Sequence, residues 1–200
     1  MLSLEKIATN LTIDSIRQIS VEQYHDMIAT GILSDDDGVE LLHGWLTNKM
    51  SKNPPHTVIT GLLFELLLRI LPTGWFVSLE GPITMSTSEP EPDIAIVQGK
   101  RTDYFEKHPA ADQVALIIEV ADSSLQRDRT IKKGIYAEAG IPAYWIINLV
   151  DSKIEVYAEP IQAEADYTLN QSFDFSQTVP ISLLEQTIGE INLANELEIS

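Results

Sequence analysis

Two short apolar stretches, each with one carboxylate, decide the fold: Glu91-Pro92-Asp93-Ile94-Ala95-Ile96-Val97 and Leu116-Ile117-Ile118-Glu119-Val120-Ala121. Runs this short and this apolar are typical of strands that are buried on both faces. A buried carboxylate is costly unless a cation compensates it. If the strands are neighbours, Asp93 and Glu119 meet at one sheet edge, where Mg²⁺ is a suitable counterion because it binds one or two carboxylates. The alternative is that each acid caps a strand at the surface.

A helix is predicted after the second stretch, opening at Asp128 and ending at Gly140. Lys132 and Tyr136 follow Asp128 at intervals of four residues and therefore lie on one side of this helix. Residues 143–148 are again apolar and predict another strand. The order of strand, helix and strand predicts a right-handed crossover between two parallel strands.

The remaining elements are predicted from hydrophobic periodicity and turn residues. We expect helices over residues 21–30, 56–71 and 180–185, hairpins over 39–50 and 167–175, strands over 75–79 and 83–85, and an edge strand over 153–157. Residues 1–19 are expected to form an N-terminal arm, and residues 20–200 a single domain.

Composition limits the kinds of protein that this chain can be. Its 200 residues suffice for one α/β domain with a sizeable core. It has no cysteine, which excludes disulfides and thiolate chemistry, and its four histidines lack the spacing of a zinc site. No secretion signal or long apolar run is present, so we expect a soluble, cytoplasmic protein.

The formal net charge of −17 argues against a nucleic-acid partner, because DNA is itself a polyanion. The charge is uneven, however. From residue 151 onward, ten acids face a single basic residue, Lys153, whereas residues 100–133 contain seven basic residues and six acids. A local basic rim beside the two carboxylates is therefore compatible with the sequence, since salt screens the wider field beyond about 8 Å.

The segment from Ile118 to Asn148 resembles the Uma-type restriction endonucleases, a branch of the PD-(D/E)XK nuclease superfamily. The resemblance lies in I-E-V-A-D-S-S and in D-R-x-x-K-x-x-x-Y-A-x-A-G-I-P-x-Y-W-I-I-N. The Asp93 stretch resembles that family's PD strand, and V-E-L-L-H-G and P-H, ending at Gly44 and His56, resemble two earlier segments. The resemblance covers roughly residues 20 to 185.

Two positions depart from the pattern. The usual E-x-K motif would place lysine at position 121, where this chain has Ala121. In the family that it resembles, the following helix supplies this lysine, and Lys132 fits that place. Asn148 stands where the family usually has aspartate, at the far end of its strand.

The resemblance implies an α/β fold, with a restriction-endonuclease-like core of helix, three strands, helix and strand, a mixed sheet, and extra N- and C-terminal elements. It implies a metal-dependent endonuclease that hydrolyses DNA phosphodiester bonds with Mg²⁺, or Mn²⁺, and that forms a homodimer. The expected catalytic residues are Asp93, Glu119 and Lys132, and the expected metal ligands are Asp93, Glu119 and the carbonyl of Val120. The expected auxiliary residues are Glu40, His56 and Tyr136, and the expected DNA contacts are Arg127, Arg129 and Lys133.

Two other functions remain open at this point. The chain could be an inactive nuclease-fold protein that binds nucleic acid or a protein partner, or its site could bind a different phosphorylated ligand. Neither a P-loop nor a G-x-G-x-x-G motif is present, which disfavours nucleotide hydrolysis and dinucleotide redox chemistry.

Overall fold

A six-stranded mixed sheet forms the centre of the protein. The structure is a computed structural model that describes residues 16–184 and 186–197. The strands are β1 (Val39–Leu42), β2 (Trp45–Asn48), β3 (Trp75–Leu79), β4 (Ile94–Gln98), β5 (Val114–Ala121), β6 (Ala143–Asn148), β7 (Lys153–Ile161), β8 (Asp166–Asp174), β9 (Val179–Leu183) and β10 (Gln186–Ile191). The central sheet has the order β3-β4-β5-β6-β7-β8, while β1-β2 and β9-β10 are separate antiparallel hairpins.

The helices confirm the expected core of helix, three strands, helix and strand. They are α1 (Val21–Ala29), α2 (Pro54–Ile70), α3 (Leu125–Arg127), α4 (Lys133–Glu138) and α5 (Leu193–Glu196), and a π-helical turn (Asp128–Lys132) joins α3 to α4. The pair β5–β6 is parallel, as the crossover pattern predicts, and every other neighbouring pair in the central sheet is antiparallel.

The two faces of the sheet carry different helices. Alternate strand residues such as Ile94 and Ile118 pack with α2 and with β9, whereas Ala95 and Ile117 pack with α4. Because strand residues two apart share a face, Asp93 lies on the face of Ala95, and Glu119 on the face of Ile117. The backbone alternation therefore places both acids on the α4 side of the sheet.

Several predicted elements are wrong. Residues 83–85 make only an isolated bridge between Thr84 and Ala110, because the backbone of this segment turns back on itself through Met85 N–H to Ser88 O. Residues 153–157 belong to an interior strand, because β8 pairs outside β7 and takes the edge. The hairpin expected over residues 167–175 is this single edge strand, β8.

The C-terminal helix expected over residues 180–185 is also wrong. Residues 179–183 form β9, in which Val179, Ile181 and Leu183 are buried and their neighbours are more exposed. This alternation with a period of two is the mark of a strand with one buried face. Residue 185 lies outside the described residues, as do residues 1–15 of the expected N-terminal arm.

The helix after β5 starts earlier than the sequence predicts, at Leu125, and contains the π turn from Asp128 to Lys132. Its end is as expected: Gly140 has φ +76°, a conformation that glycine adopts without strain. Across the sheet, Glu119 is opposite Ile146 and Ile146 is opposite Glu155, so Glu155 shares the face of Glu119 under this helix.

An ion pair between the partly exposed Arg129 and the buried Glu155 fixes the π turn to the sheet. Nε of Arg129 donates to Oε2 of Glu155 at 3.0 Å, and Asn148 and Tyr157 donate to the same carboxylate at 2.9 and 2.8 Å. Burial works to raise the pKa of Glu155, but the hydrogen bonds from Arg129, Asn148 and Tyr157 outweigh it and hold the pKa below its ordinary value. By contrast, Lys133 pairs with Asp166, whose side chain is half exposed.

We predict that Arg129→Ala lowers the free energy of unfolding by about 2–3 kcal/mol at pH 7, because it leaves the buried Glu155 carboxylate short of its cation. Lys133→Ala, one turn away, should cost at most about 1 kcal/mol, because exposed ion pairs contribute little. Urea unfolding followed by circular dichroism measures both.

The deficit of Arg129→Ala should depend on pH. Since the folded pKa of Glu155 is depressed, its contribution to stability is present above the ordinary value of 4.5 and is lost as the pH falls through the folded pKa. The deficit should therefore shrink below about pH 4. An equal deficit at pH 7 and pH 3 would contradict this account.

Candidate active site

A cleft of about 200 Å³ opens where β4 begins and β5 ends. Its lining comes from the β1–β2 hairpin and the segment after it, the start of α2, the end of β5 and the helical segment that follows. The charged lining residues are Glu40, Lys49, Lys52, His56, Glu80, Glu91, Asp93, Glu119, Asp122, Arg127, Asp128 and Lys132. The cleft therefore brings together acids and cations that are up to 92 positions apart in the chain, from Glu40 to Lys132.

Asp93 lies immediately before β4 and is nearly fully buried. Its Oδ2 atom accepts from Val120 N–H at 2.8 Å and lies 3.1 Å from Nε2 of His56, at the start of α2. Burial works to raise the pKa of Asp93, but the hydrogen bond and the charge of His56 outweigh it and hold the pKa below its ordinary value. Asp93 is therefore ionised at neutral pH.

Glu119 lies in the middle of the β5–β6 pairing. The effect of its burial on its pKa is larger than the opposing effect of its hydrogen-bond partners. Its Oε1 atom accepts from Nζ of Lys132 at 2.9 Å and from Oη of Tyr136 at 2.6 Å. Burial raises the pKa of Glu119 well above its ordinary value; Lys132 opposes this shift, and Asp128 and Asp93 add to it. The ionised form of Glu119 is therefore disfavoured at this position chiefly because the carboxylate is buried.

Lys132 is buried between two acids. Its Nζ atom lies 2.9 Å from Oε1 of Glu119 and 3.3 Å from Oε2 of Glu40, which β1 brings to the cleft. Burial works to lower the pKa of Lys132, but Glu119, Glu40 and Asp128 outweigh it and hold the pKa above its ordinary value. Lys132 is therefore a fixed positive charge rather than a proton acceptor.

Tyr136 and Asp128 complete the buried part of the site. Burial, together with the neighbouring Glu119 carboxylate, raises the pKa of Tyr136 well above its ordinary value, so its hydroxyl stays a neutral donor. Asp128 is 2% exposed, and burial raises its pKa although Lys132 opposes the shift. Asp128 is predicted from the sequence only as a helix start, although its interval of four residues from Lys132 already indicates a shared side of the helix.

The three residues expected to contact DNA lie in different places. Arg127 lines the cleft, with its guanidinium bound to the carbonyl of Asn48 at 2.7 Å and 3.6 Å from Oε1 of Glu40. Arg129 is engaged with Glu155, and Lys133 lies 2.7 Å from Asp166 and over the ring of Tyr157; neither lines the cleft. Lys52 is not among the site residues predicted from the sequence, but it lies in the cleft with its Nζ atom 3.7 Å from Oδ1 of Asp93.

The donor set suits a hard divalent cation. Asp93 and Glu119 each have one oxygen fixed by the contacts above, which leaves Oδ1 and Oε2 without hydrogen bonds from the described residues. The N–H and C=O of one strand residue point to the same side, and the Val120 N–H points to Asp93, so its carbonyl also faces that acid. Two carboxylates and a carbonyl are ligands that Mg²⁺ accepts.

The side chains of the described residues do not by themselves form a complete set of metal ligands. In residues 16–184 and 186–197, no group of three or more His, Cys, Asp or Glu side chains is arranged to hold a metal ion. This excludes a zinc-type site made wholly of side chains from the described part of the chain.

No helix within residues 16–184 and 186–197 has the length and apolar character needed to cross a membrane.

The fold is that of a known nuclease-like structure. The chain superposes on the crystal structure described as a "putative nuclease belonging to DUF820" from Anabaena variabilis ATCC 29413, with a TM-score of 0.65 and 16% identity, over 90% of this chain and 98% of that one. At this identity the likeness concerns the fold alone. No curated protein matches the chain significantly.

The family model named Uma2, described as "Putative restriction endonuclease", matches residues 21–194. The chain belongs to this family, and the resemblance found in its sequence is confirmed.

We predict that Glu119→Gln, measured without metal, raises the free energy of unfolding by about 1 kcal/mol or more at pH 9, because it removes a buried charge but keeps the acceptor for Lys132 and Tyr136. Since the folded pKa of Glu119 lies above the ordinary 4.5, the wild type gains stability as the pH falls through this window, and the variant does not. The difference should therefore be much smaller at pH 5 than at pH 9, and it should vanish below the ordinary pKa of 4.5.

Urea unfolding in EDTA at pH 9 and pH 5 measures this difference. Glu138→Gln is the matched control, because its carboxylate lies on α4 and is 45% exposed, so the substitution should change stability by less than about 0.5 kcal/mol. A Glu119→Gln protein less stable than the wild type at pH 9 would show that the Lys132 contact outweighs burial.

Proposed function

We propose that this protein is an endonuclease that hydrolyses DNA phosphodiester bonds with a bound divalent cation, Mg²⁺ or Mn²⁺. The observation that carries the proposal is the convergence of two carboxylates and one ammonium group on one cleft, with Nζ of Lys132 2.9 Å from Oε1 of Glu119. Family membership and the nuclease-like fold support the same class of reaction.

Asp93, Glu119 and the carbonyl of Val120 would hold the cation. When bound, it supplies charge against the phosphate and lowers the pKa of the attacking water. Burial raises the pKa of Glu119 most, and the neighbouring acids Asp128 and Asp93 raise it further. A cation between Asp93 and Glu119 would offset both effects, because it favours the ionised carboxylates.

The protein's own residues have distinct tasks in this proposal. Lys132 supplies a fixed positive charge that stabilises the developing charge on the scissile phosphate. Tyr136 and Lys132 both hold Oε1 of Glu119, which fixes the carboxylate with Oε2 available. Such orientation by neighbouring hydrogen bonds is typical of metal-binding carboxylates.

Glu40 and His56 act as auxiliary residues. Glu40 holds Lys132 from the side of the β1–β2 hairpin, and its Oε2 atom also accepts from Glu91 N–H at 3.2 Å. His56 holds Oδ2 of Asp93 and so directs Oδ1 into the cleft. Neither contact needs a proton to be transferred, so both residues serve to position the acids.

We predict that Lys132→Ala lowers turnover on DNA by about a hundredfold or more, because one charge-stabilising group is lost from a buried site. Metal binding should persist because both carboxylates remain. Cleavage of plasmid and single-stranded DNA, with Mg²⁺, Mn²⁺ or EDTA at low salt, measures turnover.

Lys133→Ala is the matched control. It removes the same charge at the adjacent position, but from a lysine bound to Asp166 outside the cleft. It should at most weaken DNA binding in a salt-dependent way. Loss of cleavage in Lys133→Ala but not in Lys132→Ala would show that the lysine has been assigned wrongly.

Asp93→Asn separates metal binding from catalysis. Mg²⁺ should raise the melting temperature of the wild type and of Lys132→Ala, because a ligand that binds only the folded state stabilises it. It should not raise that of Asp93→Asn, which loses one of two carboxylate ligands. Metal stabilisation without cleavage of any DNA would favour the inactive, binding-only alternative.

A further inference from the structure

The lysines and arginines of this protein differ in how firmly they are bound to acidic partners. The chain has 13 lysines and arginines, and all but Lys6 are among the described residues. Four of them line the cleft: Lys49, Lys52, Arg127 and Lys132. Lys132 is enclosed by two carboxylates, and Lys49 lies 2.7 Å from Oε2 of Glu91, with both of these side chains less than one third exposed. The remaining cations at the rim of the cleft are Lys52 and Arg127.

Lys52 is held loosely. Its Nζ atom lies 2.8 Å from Oε1 of Glu80, but both side chains are substantially exposed, at 39% and 49%. Exposed ion pairs of this kind contribute little to stability, so Lys52 can exchange Glu80 for another anion at small cost. The same ammonium group is 3.7 Å from Oδ1 of Asp93, the oxygen assigned above to the metal.

Arg127 is held firmly but incompletely. One terminal nitrogen donates to the carbonyl of Asn48 at 2.7 Å, which fixes the guanidinium, and the other is 3.6 Å from Oε1 of Glu40, beyond hydrogen-bond distance. Its Nε is buried and has no hydrogen-bond partner among the described residues. Such an unsatisfied donor is costly, and guanidinium groups bind phosphate oxygens through paired N–H donors.

These two cations flank the candidate catalytic groups. Lys52 contacts Asp93 on one side. On the other side, Glu119 contacts Lys132, Lys132 contacts Glu40, and Glu40 faces Arg127. Lys52, on the segment before α2, is thus adjacent to Asp93, whereas Arg127, at the end of α3, is linked to Glu119 through Glu40 and Lys132.

We propose that Lys52 and Arg127 form a two-sided clamp that binds the backbone phosphates on either side of the scissile one. This inference rests on the proposed function and adds to it the path of the substrate strand. The strand crosses the cleft from the start of α2 to the end of α3, and Arg129 and Lys133 take no part. The whole chain has a net charge of −17, and the cleft has seven acids against four lysines and arginines. The strand is therefore held by short-range contacts with Lys52, with Arg127 and with the cation assigned to the site, because salt screens the wider field.

The test measures binding rather than cleavage. In a Glu119→Gln background, fluorescence anisotropy follows a labelled single-stranded DNA of about 20 nucleotides over a range of salt concentrations. Lys52→Ala and Arg127→Ala should each weaken binding about three- to tenfold at low salt. Each should also lower the slope of log affinity against log salt by about 0.7, the value for one lost phosphate contact on a single strand.

Lys107→Ala is the charge-matched control, because this exposed lysine lies in the loop after β4, at the opposite end of that strand from Asp93. It should leave the salt slope unchanged. Arg127→Lys keeps the positive charge but removes the paired N–H donors of the guanidinium, and it controls for misfolding of the alanine variant. It should restore the wild-type salt slope but only part of the affinity.

The clamp would be overturned if Lys107→Ala reduced binding as much as Lys52→Ala, or if neither clamp variant changed the slope. Both outcomes are independent of turnover. Reduced slopes without cleavage by the wild type would support the clamp and refute the hydrolysis, whereas wild-type cleavage with unchanged slopes would refute the clamp alone.

Discussion

The structure depends on one buried contact, between the ammonium group of Lys132 and the carboxylate of Glu119. Taking either charge out of water is expensive, and their attraction repays the cost only if the geometry is good. The parallel pair β5–β6 places Glu119, the helix that crosses between these strands places Lys132 and Tyr136, and the β1–β2 hairpin adds Glu40. Three separately formed elements must therefore dock correctly before this group of charges is compensated.

The apolar packing of the sheet offsets the free-energy cost of burying the charged groups of the site. On the face away from the acids, α2 and β9 pack a continuous apolar cluster against the sheet. On the face of the acids, the cluster contains Tyr136, Tyr144, Tyr157 and Tyr167, whose hydroxyl groups bond to Glu119, to two backbone carbonyls and to Glu155. Tyrosine suits this face because its ring is apolar and its hydroxyl satisfies a buried acceptor.

The sequence was sufficient for the parts of the site that lie on regular elements. Short apolar runs with a single acid predict Asp93 and Glu119, and the family resemblance, together with the spacing of four residues, predicts Lys132 and Tyr136. The structure brings Asp93, Glu119 and Lys132 to one cleft and bonds Tyr136 to Glu119. Lys52 was missed because it lies in an irregular segment. Arg127 was predicted as a DNA contact together with Arg129 and Lys133, but which of the three lines the cleft depends on tertiary contacts. The strand at 179–183 was missed because its alternation is short and ends in leucines that also suit a helix.

The π turn from Asp128 to Lys132 has a consequence for how this protein can vary. Each helical residue turns the chain by about 100°, so an insertion or deletion of one residue between Glu119 and Lys132 would rotate every later side chain of the helix to another direction. A π turn closes its hydrogen bonds over five residues instead of four, so it already sets the direction in which the later side chains of the helix point. Both Asp128 and Lys132 remain buried on either side of it. Substitutions are thus easiest at exposed positions such as Glu138, whereas the number of residues between the acid of β5 and the lysine is fixed.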